Sequence, residues 1–474
     1  NATGETACKP CELGSYCPPG ASNPLGCESG AGIPHSQTTT ERASGPDECR
    51  CAPTFYDIAE EASQVTCDDC PSGSDCRHAA GFSLTTLPVM AGYYRLNERS
   101  SDIRRCPDAA TNCSDAPQCP ESTSGCRGTV DNNSSVGRRL SDDSPAGNGG
   151  SDRGCYDDLT GTFCLLCAPH PEGKRVYYAA ATSSRRAQCL ECRESARDAI
   201  LAVVGFAAGA AVIAFVIVAW CVAYLSDKRK QLLQYAWQAF TPHNKLKILI
   251  GFYMIATKVD TVYEVSLPPQ VKRILAAFSV GVSFGFNSMG SVLECLGMRG
   301  YVNMLTVYIV TPLILAALIC LLVLGRLLCT SRCNGAAFLE SALPPLLKLG
   351  FLAYPLVTNA AFDAFSCYDF TDSEWLKADV AIECGTRQHA DAKALAWLAI
   401  IAYPIGLLLV NGALLFASRG AIQSKRQTPL SRAIAFLYRE YEPQFFWWEL
   451  VEMMRRLVLV GLMVLAQGSM LQLV

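Results

Sequence analysis

The chain has 474 residues, half of them hydrophobic, with a mean hydropathy of +0.18 and a formal net charge of −3. That charge balance excludes a nucleic-acid binder working through a strongly basic surface, and the length allows several domains. The hydrophobic excess is uneven: residues 1–193 are rich in Cys, Gly, Pro, Ser and Asp, and long apolar runs begin after Arg197. There is no initiator Met and no signal peptide at Asn1, and the chain stops inside an apolar run. A processed or trimmed piece of a longer protein is therefore expected.

Eighteen of the 25 Cys lie before residue 193. Cys8, Cys11 and Cys17 share the spacing Cys-x2-Cys-x5-Cys with Cys67, Cys70 and Cys76, and both sets place Gly three residues after the second Cys. Two further Cys-x2-Cys pairs follow, Cys164/Cys167 and Cys189/Cys192. Repeated short modules with little apolar material read as a disulfide framework, because such modules bury too little surface to fold on hydrophobic area alone. Zinc held by the Cys-x2-Cys pairs is the alternative. Sequons at Asn1, Asn112, Asn132 and Asn133 agree with an extracellular or luminal head over 1–193. Its predicted structure is short β hairpins with little else that is regular. Residues 131–153 contain no aromatic residue and read as a flexible loop.

From 194 to 474 an all-α transmembrane bundle is predicted. Residues 199–226 carry no charge and are followed at once by Asp227-Lys-Arg-Lys, which the positive-inside rule places in the cytoplasm. Further spans are predicted at 248–265, 301–325, 341–362, 394–418 and 457–474. Residues 274–293 are long enough to cross but are interrupted by Ser, Gly and Asn. Cys367 and Cys384 flank an acidic loop that reads as exterior and are expected to bridge. Arg326, Arg332, Arg419, Lys425 and Arg426 read as cytoplasmic. These sides require an odd number of crossings between 226 and 301. So 248–265 crosses, and 274–293 is re-entrant or lies along the exterior face. About six crossings result, and seven is the alternative count.

Thr428-Pro429 can cap and start a helix, and Leu430, Ile434, Leu437 and Tyr441 then share one face. The expectation is an interfacial helix over 429–441 on the inner leaflet. Pro443 would end it, and Phe445, Phe446, Trp447 and Trp448 would sit at the water–lipid boundary. Glu452 and Arg456, four apart in the favourable order, would pair at the start of the last span. Together these residues form an elbow.

This arrangement resembles a broad family of polytopic proteins from algae, oomycetes and other protists. Their ectodomains carry ephrin-receptor-like cysteine modules, and their membrane regions are transient-receptor-potential-like. In the head the resemblance rests on "CELGSYCPPG", "AGYYR" and "CYDDLTGTFCLLC" before "CLEC". In the membrane half it rests on "LKILIGFYMIATKVDTVYEVSLPP", "FLAYPLVTNAAFDAFSC" and above all "YEPQFFWWELVEMMRRLVLVG". The family resemblance implies architecture more firmly than activity. The chain departs from the pattern at Lys258 and Asp260, where small polar or apolar residues are usual. It also ends where members of the family continue into further spans, which leaves a complete pore in question.

No phosphate-cradling Gly-Lys-Ser/Thr loop, His-Glu-x-x-His or Gly-x-Ser-x-Gly is present. No enzyme activity, metal or cofactor is expected. Lys258 and Asp260 fall within a predicted span and would face a partner or wet cavity, or else snorkel outward. Asp363, at the end of another span, is a candidate partner for Lys258, or an ordinary interfacial acid. Expected partners are the lipid bilayer, an extracellular protein or glycan for the head, and further copies of the chain; no nucleic acid is expected. The membrane would be the plasma membrane or an endomembrane. Two functions remain: a cation channel or channel-related sensor, as the resemblance implies, and a receptor or adhesion protein that does not conduct.

Overall fold

The structure, a computed structural model, describes residues 11–109, 124–129, 154–192, 293–329 and 334–462, with gaps at 22, 60–64, 157, 171 and 182–184, and outside these ranges only Leu249, Phe252 and Val271. Cys8, the sequons, the 131–153 loop, Lys258 and Asp260 lie outside the described residues. So do the segments 199–226 and 274–292, most of 248–265 and the greater part of 457–474. The chain forms two compact units. One is Asn1–Leu190 together with Asp369–Glu374; the other is Glu191–Tyr368 with Trp375–Val474.

The first unit is the disulfide-rich head, and its sheets are all two-stranded among the described residues. Examples are Ser15–Tyr16 with Leu25–Gly26, Ser36–Thr38 with Cys49–Cys51, and Tyr93–Arg95 with Ile103–Arg105, each antiparallel. The repeated cysteine spacing closes the same way twice, as Cys11–Cys17 and Cys70–Cys76. The glycine shared by both copies explains the turn inside each bridge: Gly14 has φ +90° and Gly73 φ +94°, a conformation that residues with a Cβ avoid. Cys27–Cys49, Cys51–Cys67, Cys106–Cys126, Cys155–Cys164 and Cys167–Cys189 staple the rest. The hydrophobic clusters are small and built partly from bridged sulfur, as in Tyr56, Cys76, Leu87, Val89 and Ile103. With so little apolar area, bridges worth roughly 2–4 kcal/mol each dominate the head's stability.

The head also takes in a distant piece of chain, Asp369–Glu374. Phe370 is 3% exposed, with the Arg104 guanidinium 4.8 Å from its ring centre and the Phe163 ring at 5.3 Å. Thr371 N donates to Asp102 Oδ2 at 3.3 Å, and Asn97 Nδ2 donates to Asp372 Oδ2 at 2.6 Å.

The second unit is helical. Its main helices are α1 (Tyr301–Cys329), α2 (Gly335–Phe362), α3 (Arg387–Ile400) and α4 (Gly406–Ala417). A π turn at Ile401–Ile405 joins α3 to α4, where Pro404 lacks the N–H that would continue the ladder. Three stretches are long and apolar enough to cross a membrane: Tyr301–Leu328, Gly335–Phe365 and Arg387–Ala417. They coincide with the spans expected at 301–325, 341–362 and 394–418. The expected count of about six is not reached among the described residues.

Ala353, Ala361, Ala392, Ala396 and Ala399 are buried where these helices meet, and their small side chains let the backbones approach closely. Leu313, Ile314, Leu321 and Leu322 on α1 face outward, as expected of surface that meets lipid.

One expected element is corrected. The interfacial helix over 429–441 is two short helices, α5 (Pro429–Ala433) and α6 (Ala435–Tyr438), broken at Ile434, whose ψ is 10°. The break bends the segment around α2, and Ile434 and Leu437 bury against Leu347 and Leu415. Protein, rather than bilayer, covers most of the face that the 3.6-residue period picks out. Thr428 does cap the first turn, in a reciprocal capping box with Ser431. Helix α7 (Trp448–Leu457) follows and continues through a π turn, Val458–Leu462. The helix that leads into the expected 457–474 span therefore begins at Trp448, within the aromatic string, and the greater part of that span lies outside the described residues.

Candidate functional site at the inner elbow

After Tyr438 the chain turns, and Pro443 opens a short 3-10 turn, Pro443–Phe445, that aims it into α7. Trp447 and Trp448 point outward with ring centres 5.9 Å apart, while Phe446 is buried edge-on to Phe416. Outward indoles at a helix start are what an interfacial anchor requires.

The buried face of α7 is unusual. Glu449, Met453 and Arg456 fall at i, i+4 and i+7, and all three are buried. Glu449 is 2% exposed and accepts a hydrogen bond from the Tyr441 hydroxyl at 3.0 Å. Burial, and next the Glu449 carboxylate, hold the Tyr441 phenol well above its ordinary range, so it stays a donor. Tyr354 of α2 donates to the Met453 carbonyl at 2.9 Å, and Asn411 of α4 directs Nδ2 at the Met453 sulfur at 3.3 Å. The Arg456 guanidinium lies 5.5 Å from the centre of the Phe351 ring. Its Nε, like Asn411 Oδ1, is buried with no hydrogen-bond partner among the described residues.

These groups line a cavity of about 200 Å³ whose remaining wall is apolar, including Leu343, Leu347 and Val410. Withdrawing a guanidinium from water costs several kcal/mol. Its contact with Phe351 returns about 1–2 kcal/mol. Glu449 is seven residues away, about 10 Å along the helix, and adds under about 2 kcal/mol at an effective dielectric near 20.

The expected partner of Arg456 is corrected here. Glu452 pairs with Arg455 at 2.7 Å on the outer face, while Arg456 turns inward. The reason is rotational: 452 and 456 are neighbours on a helix, but the buried stripe is centred on 449, 453 and 456. Glu449 and Asn411 escaped the sequence reading. The signal was present, because a helical projection of 448–457 puts Trp448, Val451 and Met454 on one side and Glu449, Met453 and Arg456 on the other. Arg455 shares the outer side with Trp448 and Val451, so what marks the other stripe is the placing of Glu449 and Arg456 on one face with Met453 between them.

Beyond Arg456 the last helix runs parallel to α2. Met453 meets Tyr354, and eight residues on, Gly461 meets Phe362, where a Cβ would sit 2.4 Å from the ring. Asp363 closes α2 as the first residue of a 3-10 turn, Asp363–Phe365. The chain then enters the hairpin Cys367–Asp369 and Glu374–Leu376, closed by the expected Cys367–Cys384 bridge. Cys367, Cys384 and His389 bring their ligand atoms within 4.8 Å of one another, but the two sulfurs are bonded together. His389 Nδ1 accepts from Gly385 N and Nε2 donates to Ala364 O, each at 3.0 Å. The cluster locks the start of α3 to the end of α2 instead of offering a ligand set.

Every other described cysteine of the predicted framework is bridged, with Cys192 joined to Cys295, 103 residues on. Comparison with protein-family models, curated proteins and solved structures finds no match.

Proposed function

We propose that this chain is the sensing part of a channel-type membrane protein, in which a cysteine-rich exterior head acts on a joint at the inner membrane face. One observation carries the reading: α2 serves both ends. Its C-terminal end leads into the hairpin whose tip, Asp369–Glu374, belongs to the head unit. Its body holds the last helix at Tyr354 and Phe362. A displacement of the hairpin is thereby transmitted along one helix to the elbow. A contact set worth a few kcal/mol is enough to bias two conformations of similar energy.

The six-crossing topology is part of this proposal, and the Cys192–Cys295 bridge favours it. Both sulfurs must lie on one side of the membrane, so an even number of crossings separates them. Spans at 199–226 and 248–265, with 274–293 re-entrant, meet that condition. Helices α1, α2 and α3–α4 then return Cys367 to the head's side and leave Ala417 inside, next to Arg419, Lys425 and Arg426.

The test is planar-bilayer recording from the intact protein. Cation current whose open fraction changes in Phe370→Ala supports the channel reading. Silence under voltage, tension and exterior ligands, together with an exterior partner that binds the head, would replace it with the receptor or adhesion function.

A further inference from the structure

Helix α4 ends at Ala417, and the chain runs on into a short helix, Arg419–Gln423, that closes in a Schellman turn. Arg426 N donates to Ala421 O at 2.9 Å and Lys425 N donates to Ile422 O at 3.2 Å, with Lys425 in the left-handed backbone at φ 53°. Glycine is the residue this slot favours, and a lysine there is strained. Ile422 is buried beneath the turn, while Arg419, Lys425 and Arg426 are all exposed. None of these three forms an ion pair among the described residues. Neighbouring bases do: Arg432 meets Glu340 at 3.3 Å, and Arg455 meets Glu452 at 2.7 Å. Three such cations on one short segment, one of them kept at a backbone cost, fit an anion supplied from outside the chain.

The surroundings say which anion. The short helix lies against the turn Pro443–Phe445, and Phe416, three residues before it, meets Phe446 edge-on at 5.7 Å. The cations therefore stand beside the turn that carries Phe445 and leads to Trp447 and Trp448, all three of them exposed. Glu442, which opens that turn, accepts from Gln444 Nε2 at 2.7 Å and pairs with none of the three bases. A soluble phosphate or an acidic protein segment would use the charges and leave the rings in water. A bilayer surface uses both, because the rings enter the headgroup layer and the bases meet lipid phosphates beside it. A zwitterionic headgroup offsets its own phosphate, so the net attraction selects an anionic one.

We infer that Arg419, Lys425 and Arg426, together with the exposed aromatics of the elbow, form a docking surface for the headgroups of anionic phospholipids. That this surface faces the inner leaflet rests on the proposed topology; the preference for anionic lipid does not.

The experiment is quenching of tryptophan fluorescence in the intact protein, reconstituted in mixed phosphatidylserine–phosphatidylcholine bilayers in which one lipid or the other carries bromine on its acyl chains. A variant with Trp447→Phe and Trp448→Phe identifies the signal that comes from these two of the six tryptophans. Brominated phosphatidylserine is expected to quench that signal as though enriched at least fivefold over its share of the bilayer at low salt. The enrichment should fall as salt is raised, since each base near an anionic surface is worth about fivefold and is screened. Replacing Arg419, Lys425 and Arg426 together by Gln should bring the two lipids level. Lys425→Gly separates charge from structure: glycine suits the backbone, so thermal stability is kept, yet the enrichment should drop at least twofold. Equal quenching by both lipids in the wild type, or an enrichment unchanged in both charge variants, would overturn the assignment. Equal quenching together with saturable binding of soluble poly-glutamate would give the bases to an acidic protein partner instead. Preference for the anionic lipid without any bilayer current would sink the channel reading and leave the surface standing.

Discussion

Glu449 and Glu452 differ by three positions and by their surroundings. Glu452 meets Arg455 near solvent, a pairing worth about 0.2–0.5 kcal/mol. Glu449 is buried, accepts from the Tyr441 hydroxyl and lines the same cavity as Arg456. Glu449→Ala is therefore expected to destabilise by about 1–2 kcal/mol, through the loss of the acceptor for the half-buried Tyr441 hydroxyl and of packing at a buried position. Glu449→Gln should recover part of that loss, because an amide oxygen still accepts from Tyr441. Glu452→Lys should cost under about 1 kcal/mol. Thermal unfolding of the purified variants checks the order; equal losses at 449 and 452 would mean that the stripe is not buried in the assembled protein. The Glu452–Arg456 spacing invited the wrong pairing because i, i+4 spacing reports adjacency on a helix and not which face is covered. That face is set by α2 and α4, over 30 residues away in sequence.

At the level of elements, the hairpin after α2 is where a pH effect is expected. Arg104 hydrogen-bonds Asp102 through two nitrogens, and with Thr371 adding to it against the opposing effect of burial, holds the carboxyl below its ordinary value of 3.8. A depressed carboxylate contributes stability that is complete above its unfolded value and is lost as pH falls through the folded one. The Asp369–Glu374 tip should thus stay ordered from neutral pH down to about pH 4 and loosen only below it. Amide exchange at Phe370 and Thr371 measures this, and Asp102→Asn should remove the step. Loosening between pH 5 and 6 would assign it to another group. The Cys367–Cys384 bridge around this hairpin was legible from two cysteines flanking an acidic loop between spans. The burial of Phe370 was not, since nothing in "CYDFTDSEW" distinguishes an exposed aromatic from one seated between Arg104 and Phe163. The repeated Cys-x2-Cys-x5-Cys spacing was the most informative signal in the head, because its shared glycine is dictated by local backbone geometry. By contrast, the split of 429–441 at Ile434 follows from fitting around α2, a tertiary demand that hydrophobic periodicity does not contain.

For the whole molecule, the central claim is that α2 couples the head's hairpin to the inner elbow. The three described spans were legible because apolar runs of this length with at most one interior charge, Lys348 of α2, have few alternatives to crossing a bilayer. The parallel seating of α2 against the last helix was not, because it depends on Gly461 meeting Phe362 and on Tyr354 reaching the Met453 carbonyl. Bilayer recordings address the output of such a device, but the coupling itself is read more directly at the amides of α7. The measurement is hydrogen exchange across Trp448–Leu457 in the intact protein in nanodiscs, comparing wild type with Phe370→Ala. The account predicts that loss of this one exterior ring raises exchange in α7 severalfold while the disulfide-closed hairpins of the head keep their protection. Faster exchange confined to Asp369–Glu374, with α7 unchanged, would contradict it.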